Sequence, residues 1–223
     1  RKWLDKIMVR ADREYSSVVF SYQQTLRNRN ALIKRKLIQR EDYELYDLLT
    51  TNLISLSSLI RKGRTELIKL INAMITPTLS KMELPMFSSL TLKYYPSRMI
   101  EDLSLLAKEE IKRGVTLIGS HLDSLEVFHG DASVRDFSSE GEQKLISFAL
   151  KLCEFETIQL KTKNTPVCLI DDLFSELDED RAKLLFQYVS SVSQTIFTDL
   201  TGKTIQADNT ITLYKEQSEV CSQ

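Results

Sequence analysis

Val167-Cys168-Leu169-Ile170-Asp171-Asp172, running on into Leu173-Phe174-Ser175-Glu176-Leu177-Asp178, sets four apolar residues directly before two adjacent carboxylates. A short apolar run ending in this way reads as a buried strand of an α/β sheet. Strand packing does not require acids at that end, and paired buried acids are costly unless something positive lies close by. In open α/β sheets ligands gather beyond the carboxyl ends of the strands. Asp171 and Asp172 are therefore candidates for a magnesium-dependent phosphoryl-transfer site. The first would hold the ion through its waters, and the second would orient and partly deprotonate an attacking water. Ser175-x-x-Asp178 then opens a helix over about 178–191 with capping-box spacing. The competing reading is that the two acids only cap a turn.

Some thirty residues upstream stands Ser138-Ser139-Glu140-Gly141-Glu142-Gln143-Lys144. Ser139 and Glu142 have the spacing of a capping box, and Gly141 leaves room for another backbone to approach. The exposed amides of a helix N-terminus suit a phosphate, although a capping box alone is mostly structural. The helix it opens, about 140–160, is apolar enough to be buried on most sides. It leads directly to the Asp-Asp strand. A further strand at Thr195–Thr198 completes a β-α-β crossover, and Ile211–Tyr214 reads as a last edge strand.

Towards the N-terminus the period is helical. Tyr15, Val18, Val19, Tyr22 and Leu26, then Leu45, Leu48, Leu49 and Ile54 through Ile71, recur at three- and four-residue steps on either side of Arg40-Glu41-Asp42. This predicts two long antiparallel helices. Gly63 interrupts the second pattern, and Pro77 and the Pro85 region are expected to end it. Downstream the sequence predicts strands at Leu90–Tyr94 and Val115–Ile118 and a helix over 99–112 stopped by Gly114. A hairpin of Leu125–Phe128 with Ser133–Phe137 should turn at His129-Gly130-Asp131.

The chain has 223 residues, 42% apolar and 27% charged, with a net charge of −1. That is ordinary globular composition, with no global field drawing the chain to nucleic acid or membrane and no run of membrane-span length. The three cysteines lack metal-type spacing and read as reduced thiols of a cytoplasmic protein. The opening Arg1-Lys2-Trp3-Leu4-Asp5 reads as a cut inside a longer chain. Arg27, Arg29, Lys34, Arg35, Lys36 and Arg40 fall in a stretch with no acid between Glu14 and Glu41. They form either a cationic flank for nucleic-acid phosphates or a solvated helix face. Of the two histidines, His129 reads as a solvent-exposed turn residue.

Ser-x-Gly-Glu-Gln-Lys at 139–144 resembles the signature sequence of ABC-type ATPases, and residues 167–178 resemble their Walker B strand and D-loop. The wording is similar to the RecF recombination-repair family, relatives of the SMC heads. Leu26-x-x-Arg29-Asn30 resembles that family's helical arm. Gly114-x-Thr116-x-x-Gly119-x-His121-x-Asp123 resembles its strand and turn before the signature. The resemblance implies an α/β fold, a partial ABC-ATPase head with a mostly parallel sheet, plus a helical arm. The expected division is arm 1–85, head 86–215 and polar tail 216–223.

It also implies ATP and Mg2+ as ligands, with Asp171 and Asp172 as catalytic acids and Asp171 as metal ligand. Ser138, Ser139, Gly141 and Glu142 would complete a partner subunit's nucleotide site, Ser175 and Asp178 would lie in the D-loop, and Thr198 would stand at the switch position. The implied partners are duplex, gapped or junction DNA, a second copy of the chain in an ATP-dependent homodimer, and RecR- and RecO-like mediators. No membrane contact is implied.

Several residues depart from the family pattern. Ser120, Leu122 and Ser124 stand where Pro, Arg and Asp are usual, and Glu140 adds negative charge inside the signature. Asp172 replaces the Glu of most ABC ATPases, and Thr198 replaces their switch histidine. No G-x-x-x-x-G-K-[ST] occurs among the six glycines. The phosphate cradle is therefore expected upstream of Arg1, and the chain alone is expected not to hydrolyse ATP. The full-length dimer should be a weak ATPase. A non-hydrolysing DNA- or protein-binding scaffold is the alternative. Another head of the superfamily, such as an SMC subunit, is disfavoured by the short arm.

Overall fold

The computed structural model describes residues 1–35, 40–84, 87–97, 103–171 and 179–198, with Asn209 and Ile211. Three helices begin the chain: α1 (Lys2–Ala11), α2 (Arg13–Lys34) and α3 (Arg40–Lys81). The sequence reading has α2 and α3 but not α1, although Leu4, Ile7 and Met8 bury one face of it. Asp12 separates the first two. Its N–H closes α1 on Met8 O, and its carboxylate accepts from the Tyr15 N–H at 3.0 Å to cap α2.

Helices α2 and α3 run antiparallel. Arg29 meets Thr50, whereas Tyr15 meets Gly63, so position rises along one helix as it falls along the other. Gly63 does not break α3. A Cβ there would lie 2.6 Å from the Tyr15 ring, so glycine is what permits this close crossing. Pro77 does not end α3 either, which corrects the sequence expectation. Proline forfeits one backbone bond, but the flanking Ile75, Thr78 and Leu79 are buried and hold the last turns against the core. The helix stops after Lys81. Glu83 takes a left-handed φ of 54°, and the Leu84 N–H reaches back to Leu79 O at 2.9 Å.

Strands β1 (Leu90–Tyr95), β2 (Ser124–His129) and β3 (Ala132–Ser133) form an antiparallel sheet in that order, with Leu92 opposite Val127. The Asn72 side chain of α3 pairs with both the N–H and the C=O of Leu92, supplying the outer edge of β1 with a partner. Helix α4 (Leu103–Arg113) ends at Gly114, which has a φ of 70°.

One expected strand is absent, and the second strand of the expected hairpin forms but is cut short at Ala132–Ser133, paired with β2. Residues 115–118 join no ladder, because side chains take their amides: Asn30 Oδ1 accepts from Thr116 and Glu110 Oε1 from Leu117. After β3, Val134–Phe137 is the helical turn α5 rather than strand. Phe137 is 78% exposed, so strand alternation would gain no burial there. The Ser138 N–H closes this turn on Val134 O, which delivers Ser139 to the start of α6 (Glu140–Thr162).

Strand β4 (Cys168–Ile170), helix α7 (Glu179–Val192) and strand β5 (Thr195–Phe197) form the expected parallel crossover, with Ile170 opposite Phe197. The strand is less buried than its apolar run suggests. Leu169 is 74% and Ile196 54% exposed, because no described element covers that face, while Cys168 and Ile170 pack on the core. Asn209 and Ile211 lie in no strand. The rest of the expected edge strand and the polar tail fall outside the described residues. One apolar cluster runs from Leu4 through Ile71 and Leu92 to Cys153 and Val189, so the long helices and the α6 region share a core. Among the described residues, no helix is long and apolar enough to cross a membrane.

Candidate functional site

The two candidate elements are held differently. At the head of α6 the expected capping box forms. The Glu142 N–H donates to Ser139 Oγ at 3.3 Å, and the Ser139 N–H and hydroxyl each donate to Glu142 Oε2 at 2.8 Å. Those Ser139 bonds, from its backbone and then its hydroxyl, hold the Glu142 carboxyl below its ordinary range. Ser139, Gly141 and Glu142 are exposed, Ser138 is half-buried, and nothing lies within 4 Å of a Cβ placed on Gly141. An anion can therefore reach this terminus. Gln143 ties the turn to Ser138 O at 3.0 Å.

Asp171 stands exposed at the carboxyl end of β4. The parallel register that sets Ile170 against Phe197 brings Thr198 beside it. The Thr198 N–H donates to Ile170 O at 3.0 Å, and its hydroxyl donates to Asp171 Oδ1 at 2.5 Å. Asp172, Ser175 and Asp178 lie outside the described residues. A cavity of about 300 Å³ opens beside β4, lined by Asp171, by α6 residues from Phe148 onward and by Leu185 and Val189 of α7. None of residues 138–142 lines this cavity.

Arg27, Lys34, Arg35 and Arg40 are exposed, Arg40 paired to Glu44 at 3.1 Å; Lys36 lies outside the described residues. Arg29 is a correction to the DNA-contact assignment. It is fully buried, with Nη2 2.7 Å from Glu110 Oε2, Nε donating to Thr50 Oγ1 and Nη1 to Thr116 Oγ1. Its guanidinium lies over the Tyr46 ring, and Tyr46 donates its hydroxyl to the same Glu110 at 2.6 Å. A charge enclosed this way cannot meet a phosphate. It joins α2, α3, α4 and the segment after Gly114.

The stretch 114–123 proves to be a seam between arm and sheet. A Cβ on Gly119, whose φ is 114°, would sit 2.5 Å from the Tyr22 hydroxyl. His121 meets that hydroxyl through Nδ1 at 2.6 Å, and burial pushes its imidazole below the ordinary histidine value. Asp123 is buried against Arg61 at 2.8 Å, Arg64 at 3.2 Å and the Tyr94 hydroxyl. Burial alone would raise its carboxyl, but Arg61, Tyr94 and the Ser97 N–H together hold it below the usual carboxylate range. Arg64 also grips Asp5 of α1 at 2.8 Å. Sequence reasoning missed Arg61, Arg64 and Asp5. Their signal was a pair of arginines embedded in a long apolar helical pattern, where a charge must find a partner. Ser120 Oγ, standing where the resembling family has proline, is buried without a hydrogen-bond partner among the described residues.

A capped helix leading into a parallel strand that ends in an acid, followed by a crossover to a second parallel strand and attached to a long helical hairpin, has the fold of part of an ABC-type ATPase head with its arm. The fold matches two solved structures of the recombination mediator protein RecF. One, titled RecF-ATP in the RecFOR pathway, has a TM-score of 0.74 at 24% identity, covering 92% of this chain and 58% of that one. The other, with an ATP analogue, has a TM-score of 0.75 at 23% identity, covering 90% and 57%. By sequence, the DNA replication and repair protein RecF of Tropheryma whipplei is 33% identical over all of this chain and 62% of its own length. That of Lachnospira eligens is 31% identical over 89% of this chain and 56% of its own. The chain thus spans about three fifths of the curated relatives it matches. No family model matches it. In fold and in sequence the chain is similar to part of the RecF proteins.

Proposed function

We propose that this chain is part of an ATP-controlled, DNA-binding repair protein of RecF type, cytoplasmic and dimerising on ATP, which assists recombinase loading at gapped DNA together with RecR- and RecO-like mediators. The observation that carries the reading is the division of the site. Ser139 caps an exposed helix terminus that does not line the cavity beside Asp171, in keeping with a nucleotide shared between two copies. We read residues 1–85 as arm and 86–215 as head, packed together where α3 meets α6.

The donors fit magnesium. Asp171 offers a hard carboxylate oxygen at an exposed strand end. That suits an ion which keeps most of its waters and takes phosphate oxygens. Asp171 would hold it, and when bound it neutralises developing phosphate charge. Asp172 orients the attacking water and accepts its proton. Ser138, Ser139, Gly141 and Glu142 meet the partner copy's nucleotide, with the α6 amides facing its phosphate. Ser175 and Asp178 contribute the D-loop. Exposed Arg27, Lys34, Arg35 and Arg40, with Lys36, neutralise DNA phosphates; Arg29 is excluded by its burial. The open, apolar face of β4 and β5 supports the view that this chain alone does not hydrolyse ATP.

The deciding experiment uses the complete protein. Ser139→Arg should bind ATP as monomer but form no ATP-dependent dimer by light scattering; dimerisation with ATP intact would refute the shared-site reading. A non-hydrolysing scaffold remains the alternative, favoured by Glu140, whose side chain is 89% exposed in the first turn of α6. Single-turnover hydrolysis separates the two.

A further inference from the structure

Thr198 stands where the resembling ATPases carry their switch histidine. We propose that Thr198 is instead a positioning residue, which fixes the Asp171 carboxylate and does not itself sense phosphate; the proposal rests on the ATP reading above. Two bonds carry it. The Thr198 N–H extends the β4–β5 ladder onto Ile170 O at 3.0 Å, and the hydroxyl donates to Asp171 Oδ1 at 2.5 Å. One residue thus grips both the strand's last carbonyl and the acid that follows.

The donor count makes this exclusive. A threonine hydroxyl has one proton, and here that proton is committed to Asp171, so it is not available to a phosphate oxygen at the same time. The direction of the hydroxyl is also restricted. Threonine is β-branched and stiff at χ1, and the parallel register of β5 sets its backbone. Asp171 lacks such restraint of its own, since it is exposed beyond the end of β4. With Oδ1 held by Thr198, Oδ2 is the oxygen left to face a cation. A residue one strand away thereby selects which carboxylate oxygen is offered and in what orientation. Partners of metal-ligating carboxylates typically contribute about 10- to 100-fold in metal affinity.

The test uses the complete protein and manganese(II) as probe, with metal binding in the presence of ADP followed by electron paramagnetic resonance. Nucleotide binding is measured separately in excess chelator, and thermal melts confirm that each variant is folded. Thr198→Val should weaken manganese binding about tenfold or more while leaving metal-free nucleotide affinity unchanged. Thr198→Ser, which keeps the hydroxyl, should restore manganese binding to within about threefold of the parent. Should Thr198→Val lose metal-free nucleotide affinity and keep its manganese affinity, Thr198 touches phosphate and the proposal fails while the ATP reading stands. A serine variant as weak as the valine one would likewise overturn it, because strand packing and not the hydroxyl would be responsible. A parent protein that binds neither nucleotide nor manganese removes the ATP reading, and this proposal with it.

Discussion

The hydroxyl of Tyr22, in the middle of α2, and Nδ1 of His121, in the turn before β2, lie 2.6 Å apart. The His121 N–H also donates to the Tyr22 oxygen at 3.2 Å. Which of the two donates in the 2.6 Å bond depends on the His121 tautomer. This pair of bonds, made over Gly119, docks the arm against the seam that precedes the signature.

Protonating His121 would charge a partly buried ring. Burial, the largest cause, lowers its pKa from 6.5. A backbone hydrogen bond with Thr116 and the Asp123 carboxylate oppose it, and Arg1 and Arg29 reinforce it. In the window just below 6.5 the unfolded chain binds more protons than the folded one, so stability rises with pH through that window. The contribution is complete above it and disappears as pH falls through the folded value. Melting curves between pH 5 and 8 should show this slope, and His121→Gln should lack it. Tyr22→Phe should cost about 1–2 kcal/mol at neutral pH.

Arg29 and Glu110 should behave as a buried pair. Arg29→Met leaves Glu110 enclosed and uncompensated, with an expected loss of about 3–5 kcal/mol in urea unfolding. Adding Glu110→Leu should recover most of that. If Arg29→Met were as stable as the parent, the pair would not be enclosed in solution.

Gly63→Ala should destabilise by about 1–3 kcal/mol, more than a helix-propensity gain can offset. The ring it would strike is anchored, because the Tyr15 hydroxyl donates to Asp5 at 2.7 Å and Asp5 is gripped by Arg64. A melting temperature at or above the parent's would show that Tyr15 can move aside.

For the complete protein, Asp172→Asn should keep ATP binding and trap the dimer by blocking water activation, which sedimentation with ATP would detect as a complex that fails to dissociate. A dimer that dissociates at the parental rate would remove Asp172 from the hydrolytic step.

Charge reversal at Lys34, Arg35 and Lys36 should weaken duplex binding and flatten its dependence on log salt by roughly one unit for each phosphate no longer neutralised. An unchanged salt slope would move the DNA surface elsewhere.

Much of this architecture was legible because it rests on local pattern. The three- and four-residue apolar steps announced α2, α3 and α6, and the Ser139–Glu142 spacing announced a cap that forms as read. The short apolar run before Asp171 announced a strand. What misled was also local. Pro77 is a strong helix breaker in isolation, yet the buried residues around it outweigh one missing bond. Residues 115–118 look like a strand, but distant side chains occupy the amides a ladder would need.

The site divides in the same way. Residue type and spacing alone determined that a capped helix terminus and an acid-ended strand exist, because capping and strand formation depend on neighbours within a few positions. Whether a charge is free or enclosed is settled elsewhere in the chain. Arg29 reads as one of six cations in an acid-free stretch, and only its meeting with Glu110, far along the sequence, turns it into a core residue. Thr198 and Asp171 are likewise brought together by the pairing of β4 with β5. Tertiary structure decided those roles, because burial and hydrogen-bond partnership depend on distances in space that a linear pattern does not encode.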